Sequence, residues 1–195
     1  MTAVNVASSI IDRFGVVVVV TLLVGLPLGA AVTSGLSRHR ARVGWPARWA
    51  WQSAIAEVGI VLGTAPWVWM IMAPTGGPGG VHLIPFQDLA GVLGGRDAIV
   101  QLVGNLLVFT ALGALLPVRF RLGPAWSVAP TVFLLAASMS AVLEGLQLVL
   151  SLGRVTSIDD VLINSLGATL ASLLFISWWR SREDAAPAPQ WDPSR

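Results

Sequence analysis

The 195-residue chain is hydrophobic and carries few charges. Hydrophobic residues make up 55% of it and charged residues 11%, and the mean hydropathy is +0.76. Soluble domains carry about 25% charged residues, so this chain has too few to cover a water-exposed surface. The composition therefore excludes an ordinary soluble domain and predicts a protein embedded in a membrane.

The residue counts also exclude several kinds of site and partner. There is no cysteine, which excludes disulfides, thiol catalysis and cysteine-ligated iron–sulfur clusters. The two histidines, His39 and His82, lie far apart in sequence, and we expect no metal and no cofactor. The formal net charge is only +2, and no arginine run is interleaved with aromatic residues, so nucleic acid is not an expected partner.

Five apolar stretches are long enough to cross a bilayer, which takes roughly 20 residues. In chain order they run from about Phe14 to Gly35, Ser53 to Ala73, Ile99 to Pro117, Trp126 to Leu152 and Ile158 to Trp179. The first stretch exceeds the about 7–15 residues of a signal-peptide core and follows no basic leader, so we expect a retained helix. The sequence predicts an all-α, polytopic membrane bundle of five transmembrane helices.

The arginines in the connecting segments predict the orientation of this bundle. Eight of them fall on one side if five helices cross: Arg38, Arg40, Arg42, Arg48, Arg119, Arg121, Arg180 and Arg182. The opposite side receives Arg13, Arg96 and Arg154. The positive-inside rule then places the amino terminus outside and the carboxyl terminus in the cytoplasm. We divide the chain into a bundle over 1–182 and a disordered cytoplasmic tail over 183–195, which has nothing to bury.

The connection between the second and third stretches, from Pro74 to Ala98, lies outside in this topology. It opens with a turn-rich string from Pro74 to Gly80, which predicts irregular structure. The apolar run from Val81 to Phe86 is too short to span a bilayer. We expect an outer-surface or shallow re-entrant segment that serves as a lid.

Polar side chains inside the apolar stretches are informative, because an ionisable group at the centre of a membrane helix costs about 2.5–3.5 kcal/mol. In each of the last three stretches such residues recur on one helix face, at spacings of three or four. These faces comprise Gln101 and Asn105, then Ser140, Glu144, Gln147 and Ser151, then Asp160, Asn164, Gly167 and Ala171. The spacing indicates that three helices turn polar groups inward.

The depths of these groups also agree. Asn105, Asn164, Glu144 and Gln147 each lie about five to eight residues from the outer end of their stretch, or ~8–12 Å. We therefore predict a polar pocket that opens outward, with Glu144 as its deepest ionisable group. Its residues are Asn105, Glu144, Gln147, Arg154, Asp159, Asp160 and Asn164.

Each residue of this set also has a structural interpretation. Amides often join membrane helices, at about 0.6 kcal/mol per hydrogen bond, and Gly167 and Ala171 suit close helix packing. Arg154 could neutralise Asp159 or Asp160. Glu57 is expected to pair with a nearby arginine such as Arg48, or to reach the cytoplasmic interface.

Three of these segments resemble motifs of the VanZ-like family, small bacterial membrane proteins named for a teicoplanin-resistance protein. Asn105–Phe109, followed by Gly113 and Pro117, resembles the family's N-x-x-x-F-x-P-x-G segment, with Thr110-Ala111 where a proline is usual. Glu144–Gln147 matches its E-x-x-Q. Gly153–Gly167 resembles its G-R-x-x-D-[IV]-D-D-x-x-x-N-T-x-G, with Ser157 in place of the first aspartate. The resemblance covers about 81–172. It implies a multi-pass protein of the bacterial plasma membrane associated with glycopeptide resistance, without a settled reaction.

Several function classes remain open at this stage. The pocket could bind or handle an amphiphilic or lipid-linked ligand in the outer leaflet, such as a membrane lipid. It could instead be an enzyme in which Glu144 does acid–base chemistry and Asp159 and Asp160 share a proton or a divalent cation. A small proton-coupled transporter using Glu144 would need a homo-oligomer, because five helices are few for alternating access. A scaffold subunit of an envelope complex is the remaining alternative.

Overall fold

A computed structural model describes residues 15–87, 98–120, 122 and 125–183, and most of these are helical. Six helices can be assigned: α1 (Gly15–Arg42), α2 (Ala47–Ile71), α3 (Ala98–Val108), α4 (Thr110–Phe120), α5 (Ala125–Val149) and α6 (Ile158–Glu183). Two short strands, β1 (Gly80–His82) and β2 (Val155–Ser157), complete the assignment. All but the first residue of the predicted tail lies outside the described residues.

The five predicted membrane-spanning stretches are confirmed. Five helical segments in the described part of the chain are long and apolar enough to cross a membrane: Gly15–Arg42, Ala47–Ile71, Leu102–Phe120, Trp126–Val149 and Ile158–Ile176. The third combines α3 and α4, which meet at Phe109. The first continues further than predicted, to Arg42. His39, Arg40 and Arg42 lie in its last turn, where the helix dipole favours positive charge.

The last helix of the chain is the centre of the bundle. On one side α6 packs against α3 and α4, and on another it packs along α5. Helix α2 packs on α4, and α1 packs on α2 at the periphery. A core of buried apolar side chains fills the space between α3, α4, α5 and α6: Val108, Phe109, Leu112, Leu116, Val128, Val132, Ala136 and Ala168.

Two glycines allow α6 to touch its neighbours through the backbone. A Cβ atom on Gly113 would lie 2.0 Å from the carbonyl oxygen of Ala168, and one on Gly167 would lie 1.9 Å from that of Leu106. Neither position has room for a side chain. Small residues let membrane helices approach closely, and the close-packing interpretation of Gly167 agrees with this contact.

A two-stranded parallel ladder covers one end of the bundle. Strand β1 pairs with β2 so that Gly80, Val81 and His82 face Val155, Thr156 and Ser157. Thr75 adds hydrogen bonds from its N–H to Leu152 O (2.9 Å) and from its hydroxyl to Gly153 O (2.6 Å). We had expected a surface or re-entrant segment here. Three-residue strands are too short to show the alternation of apolar and polar residues that predicts a strand, so the ladder was not predictable.

Candidate intramembrane polar site

The buried face of α5 changes from apolar to polar along its length. Its first half contributes Val128, Val132 and Ala136 to the core, and its second half buries Ser140, Glu144 and Gln147. The spacing of three and four residues keeps all six on one face. The prediction that Ser151 extends this face is wrong, because α5 ends at Val149 and Ser151 is exposed with a φ of 51°.

The predicted meeting of α3 and α6 is seen at Asn105 and Asp160. The side-chain amide of Asn105 donates a hydrogen bond to a carboxylate oxygen of Asp160. Asn105 is buried and Asp160 is half-buried. A hydrogen bond to a charged acceptor is stronger than one between neutral groups. This contact therefore fixes the polar faces of two helices against each other.

One turn further along α6, Asn164 contacts α5. Its Nδ2 donates to Ser140 Oγ over 2.8 Å, and both side chains are fully or almost fully buried. Asn164 Oδ1 has no hydrogen-bond partner among the described residues. Helix α6 thus places one polar side chain against α3 and the next against α5.

Glu144 binds the ladder at the end of the bundle. Its Oε2 accepts a hydrogen bond of 3.0 Å from the backbone N–H of Ser157, and its backbone oxygen accepts one of 3.3 Å from the Thr156 hydroxyl. Ser157 Oγ in turn accepts from the N–H of Asp159 over 3.1 Å. We call Asn105, Ser140, Glu144, Asp160 and Asn164 the polar cluster, because these contacts and single helical turns connect them.

Ser157 has a structural role, as the cap of a helix, that the sequence interpretation did not assign. It precedes Ile158, the first residue of α6, and its side chain accepts from the second helical N–H, as an N-cap does. The Ser-x-x-Asp pattern from Ser157 to Asp160 is a recognised helix-start signal and could have identified it. Serine and aspartate are both favoured N-caps. The family's aspartate is therefore replaced here without losing the cap, although one carboxylate is lost.

Asp159 and Asp160 hydrogen-bond in different directions. Asp159 is buried and accepts a 2.6 Å bond from the backbone N–H of Phe86, whereas Asp160 accepts from Asn105. Consecutive residues of a helix are about 100° apart around its axis. The described residues contain no group of three or more metal-ligating side chains. In the described contacts, Asp159 thus binds the segment after β1 and Asp160 binds α3.

Two predicted pocket residues lie apart from this network. Gln147 donates from Nε2 to the backbone oxygen of Ile71 over 3.0 Å and so joins the end of α2 to α5. Arg154 is half-buried, and it forms no ion pair with the carboxylates in the described part of the chain. The Gln101 side chain lies outside the described residues.

A second polar group lies towards the other end of α2. Glu57 forms ion pairs with Arg40 of α1, at 2.6 Å, and with Arg119 of α4, and Arg40 also donates to Ser53 Oγ over 2.8 Å. Of the two alternatives expected for Glu57, pairing with an arginine is the one seen, and its partners are Arg40 and Arg119 because helices α1 and α4 bring these arginines closer than Arg48. Ile71 follows Glu57 by 14 residues, or ~21 Å of helix. The Glu57 group and the ladder are therefore at opposite ends of the bundle.

Comparison with known proteins identifies one family. The VanZ/LLP1 family profile matches residues 53–180, well over half of the chain. The match begins in α2 and ends in α6, so it is wider than the 81–172 that the motifs covered. No curated protein and no solved structure matches the chain.

Proposed function

Because this chain belongs to the VanZ/LLP1 family, we propose that it is a bacterial plasma-membrane protein whose polar cluster binds an amphiphilic or lipid-linked ligand. The observation that carries the proposal is the hydrogen bond between Asn105 and Asp160, one turn from that between Asn164 and Ser140. Three helices thereby hold polar groups inside an apolar bundle. Polar residues in membrane spans face the bundle interior and mark sites of function.

The arginine distribution supports access from the outer leaflet. Arg38, Arg40, Arg42, Arg48 and Arg119 all lie at the Glu57 end of the described bundle, and Arg154 lies at the ladder end. The positive-inside rule assigns the Glu57 end to the cytoplasm. The polar cluster then belongs to the outer half of the membrane, with the amino terminus outside and the carboxyl terminus inside.

The side chains beside the polar cluster favour a ligand with an apolar part. Next to Asp159, the segment after β1 exposes Leu83, Ile84 and Phe86 by 65–68%. The end of α5 exposes Val149 by 79%. An amphiphile could place its polar head against the cluster and its apolar chain against these side chains. Burial of apolar area would then contribute about 25 cal/mol per Å² to binding.

Binding is better supported than catalysis or proton transport. The Glu144 carboxylate accepts from the backbone of Ser157, and Asp159 accepts from that of Phe86. These bonds hold the ladder and the loop after it, which suits the positioning of a ligand. We also propose that such binding underlies any link of this chain to glycopeptide resistance, since resistance needs an encounter with an envelope component.

Native mass spectrometry of the purified protein would test the proposal. Asp160→Ala and Glu144→Ala should lose a lipid that co-purifies with the wild type. Ser138→Ala is the matched control, because Ser138 is exposed on α5 and donates only to Leu134 O. Equal lipid retention in all four proteins, each monodisperse by size exclusion, would contradict a binding role for the cluster.

A further inference from the structure

Three exposed arginines surround the turn between α1 and α2. Arg38 and Arg42 lie one turn apart near the end of α1, and Arg48 lies on the first turn of α2. None of the three forms an ion pair with a described residue, whereas Arg40 is less exposed and pairs with Glu57. We call Arg38, Arg42 and Arg48 the basic patch.

The basic patch faces away from the interior of the bundle. Ser37 lies on the buried face of α1, and Ala50 lies on that of α2. Arg38 and Arg42 are about 100° and 140° from Ser37 around the axis of α1. Arg48 is about 160° from Ala50 around the axis of α2. All three guanidinium groups therefore face the surroundings of these helices and not the helices packed against them.

The length of α1 places the basic patch at the depth of the lipid headgroups. The helix has 28 residues, or ~42 Å, whereas the hydrocarbon core of a bilayer is about 30 Å thick. Roughly 12 Å of the helix therefore extends beyond the core. The charged residues of α1 all fall within positions 38–42, at one end of the helix. This end lies in the interfacial layer, where the phosphate groups of lipids are found.

Tryptophan side chains next to the basic patch agree with this depth. Trp45 in the turn is 42% exposed, and Trp51 in α2 is 45% exposed. The Cζ atom of Arg40 lies 5.4 Å from the centroid of the Trp45 ring. Tryptophan is enriched at membrane–water interfaces, where the indole sits among the headgroups. These exposed rings favour a lipid as the partner of the basic patch over a water-soluble acidic protein.

We propose that the basic patch binds the headgroup of an anionic phospholipid, in the leaflet at the Glu57 end of the bundle. A guanidinium group presents its N–H donors as a planar fork that matches the oxygens of a phosphate. Basic residues beside a membrane helix attract anionic lipids. A zwitterionic lipid carries the same phosphate, but its own ammonium group offsets the charge. This site is separate from the polar cluster, which lies at the other end of the bundle.

Lipid retention by the full chain tests the proposal. The purified protein is placed in nanodiscs of phosphatidylglycerol and phosphatidylcholine in equal amounts, with identical acyl chains, and the lipid that stays bound is counted by native mass spectrometry. Phosphatidylglycerol should be retained at least about tenfold better, because each basic residue near an anionic surface contributes about fivefold to binding. The two leaflets of a nanodisc have the same composition, so the result does not depend on the orientation of the chain.

Substitutions in the basic patch assign the preference to these arginines. The triple variant Arg38→Gln, Arg42→Gln, Arg48→Gln should retain the two lipids equally. Arg42→Gln alone should lower the preference by about fivefold, and it provides the test if the triple variant does not fold. His39→Gln is the matched control, because His39 is exposed on the same turn of α1 and its substitution removes no arginine.

The outcomes separate this site from the polar cluster. Equal retention of both lipids by the wild type would overturn the proposal and leave ligand binding at the polar cluster standing. An undiminished preference in a folded triple variant would overturn the assignment to the basic patch. Asp160→Ala should keep the preference for phosphatidylglycerol, and its loss in that variant would place the retained lipid at the polar cluster instead.

Discussion

Asn105 on α3 donates its side-chain amide to the carboxylate of Asp160 on α6, across 55 residues of sequence. The same two helices touch at Gly167, where a Cβ atom would lie 1.9 Å from the carbonyl oxygen of Leu106. Leu106 is the residue after Asn105, and Gly167 is two turns after Asp160 along the same face. Close backbone packing therefore brings a short amide within reach of a short carboxylate.

A double-mutant cycle on this pair should show strong coupling. We expect Asn105→Ala and Asp160→Ala together to be about 1–2 kcal/mol less destabilising than the sum of the single variants, because either substitution alone already removes the hydrogen bond that joins the two side chains. Unfolding in mixed detergent–SDS micelles, followed by tryptophan fluorescence, measures this. Gln147→Ala with Asp160→Ala is the control pair and should be additive, since Gln147 contacts Ile71. Coupling no larger than in the control would contradict a direct bond.

The backbone contact at Gly167 makes a separate prediction. Gly167→Ala should lower the free energy of unfolding by about 1–3 kcal/mol or more, as overpacking does, because the obstructing atoms belong to the backbone of α3. Gly145→Ala on α5 is the matched control, since a Cβ atom there meets nothing within 4 Å. Alanine is the better helix former by about 1 kcal/mol, so the control should be neutral or stabilised. Similar stability losses in both variants would show that the α3–α6 approach is not tight.

Local spacing in the sequence was enough to predict the bundle and much of the polar face. The three- and four-residue periods identified Asn105, Glu144 and Asn164 as inward-facing, and their described side chains are buried. The stripe failed at Ser151 because a helix end depends on the backbone that follows it. The N-cap at Ser157 had a sequence signal that we did not use.

Contacts made by the connecting segments could not be predicted. The ladder joins Val81 to Thr156, and Asp159 accepts from the backbone of Phe86, which has a φ of 68°. A positive φ at phenylalanine is uncommon, and no sequence pattern predicts it at this position. The partners of Glu57 were not predictable for the same reason: Arg48 is close in sequence, but helix packing brings Arg40 and Arg119 into contact with the carboxylate.

The Glu57 ion pairs should stabilise the junction of α1, α2 and α4. We expect Glu57→Gln to lower the free energy of unfolding by about 1–3 kcal/mol, between the values for exposed and buried pairs, because Glu57 is 30% exposed and Arg40 14%. Its removal takes away the carboxylate with which Arg40 and Arg119 pair in the described residues. Thermal unfolding of the purified protein in detergent checks the direction of the effect.

Arg48→Gln is the control for this experiment. Arg48 is exposed and has no ion pair within the described residues, so its substitution should change stability by no more than about 0.5 kcal/mol. If Glu57→Gln were as mild as Arg48→Gln, the three helices would be held together by apolar packing alone. If Arg48→Gln were the more harmful, the pairing expected from sequence would be the correct one.

Single-cysteine labelling can test the orientation that the binding proposal requires. The chain has no cysteine, so Ala41→Cys and Pro78→Cys each introduce one thiol at an exposed position, at the Glu57 end and the ladder end of the bundle respectively. Arginines concentrate at the Ala41 end, and the positive-inside rule places that end in the cytoplasm. A membrane-impermeant maleimide should therefore label Pro78→Cys in intact cells and reach Ala41→Cys only after permeabilisation. The reverse pattern would place the polar cluster in the cytoplasmic leaflet, where a ligand of the outer leaflet could not reach it.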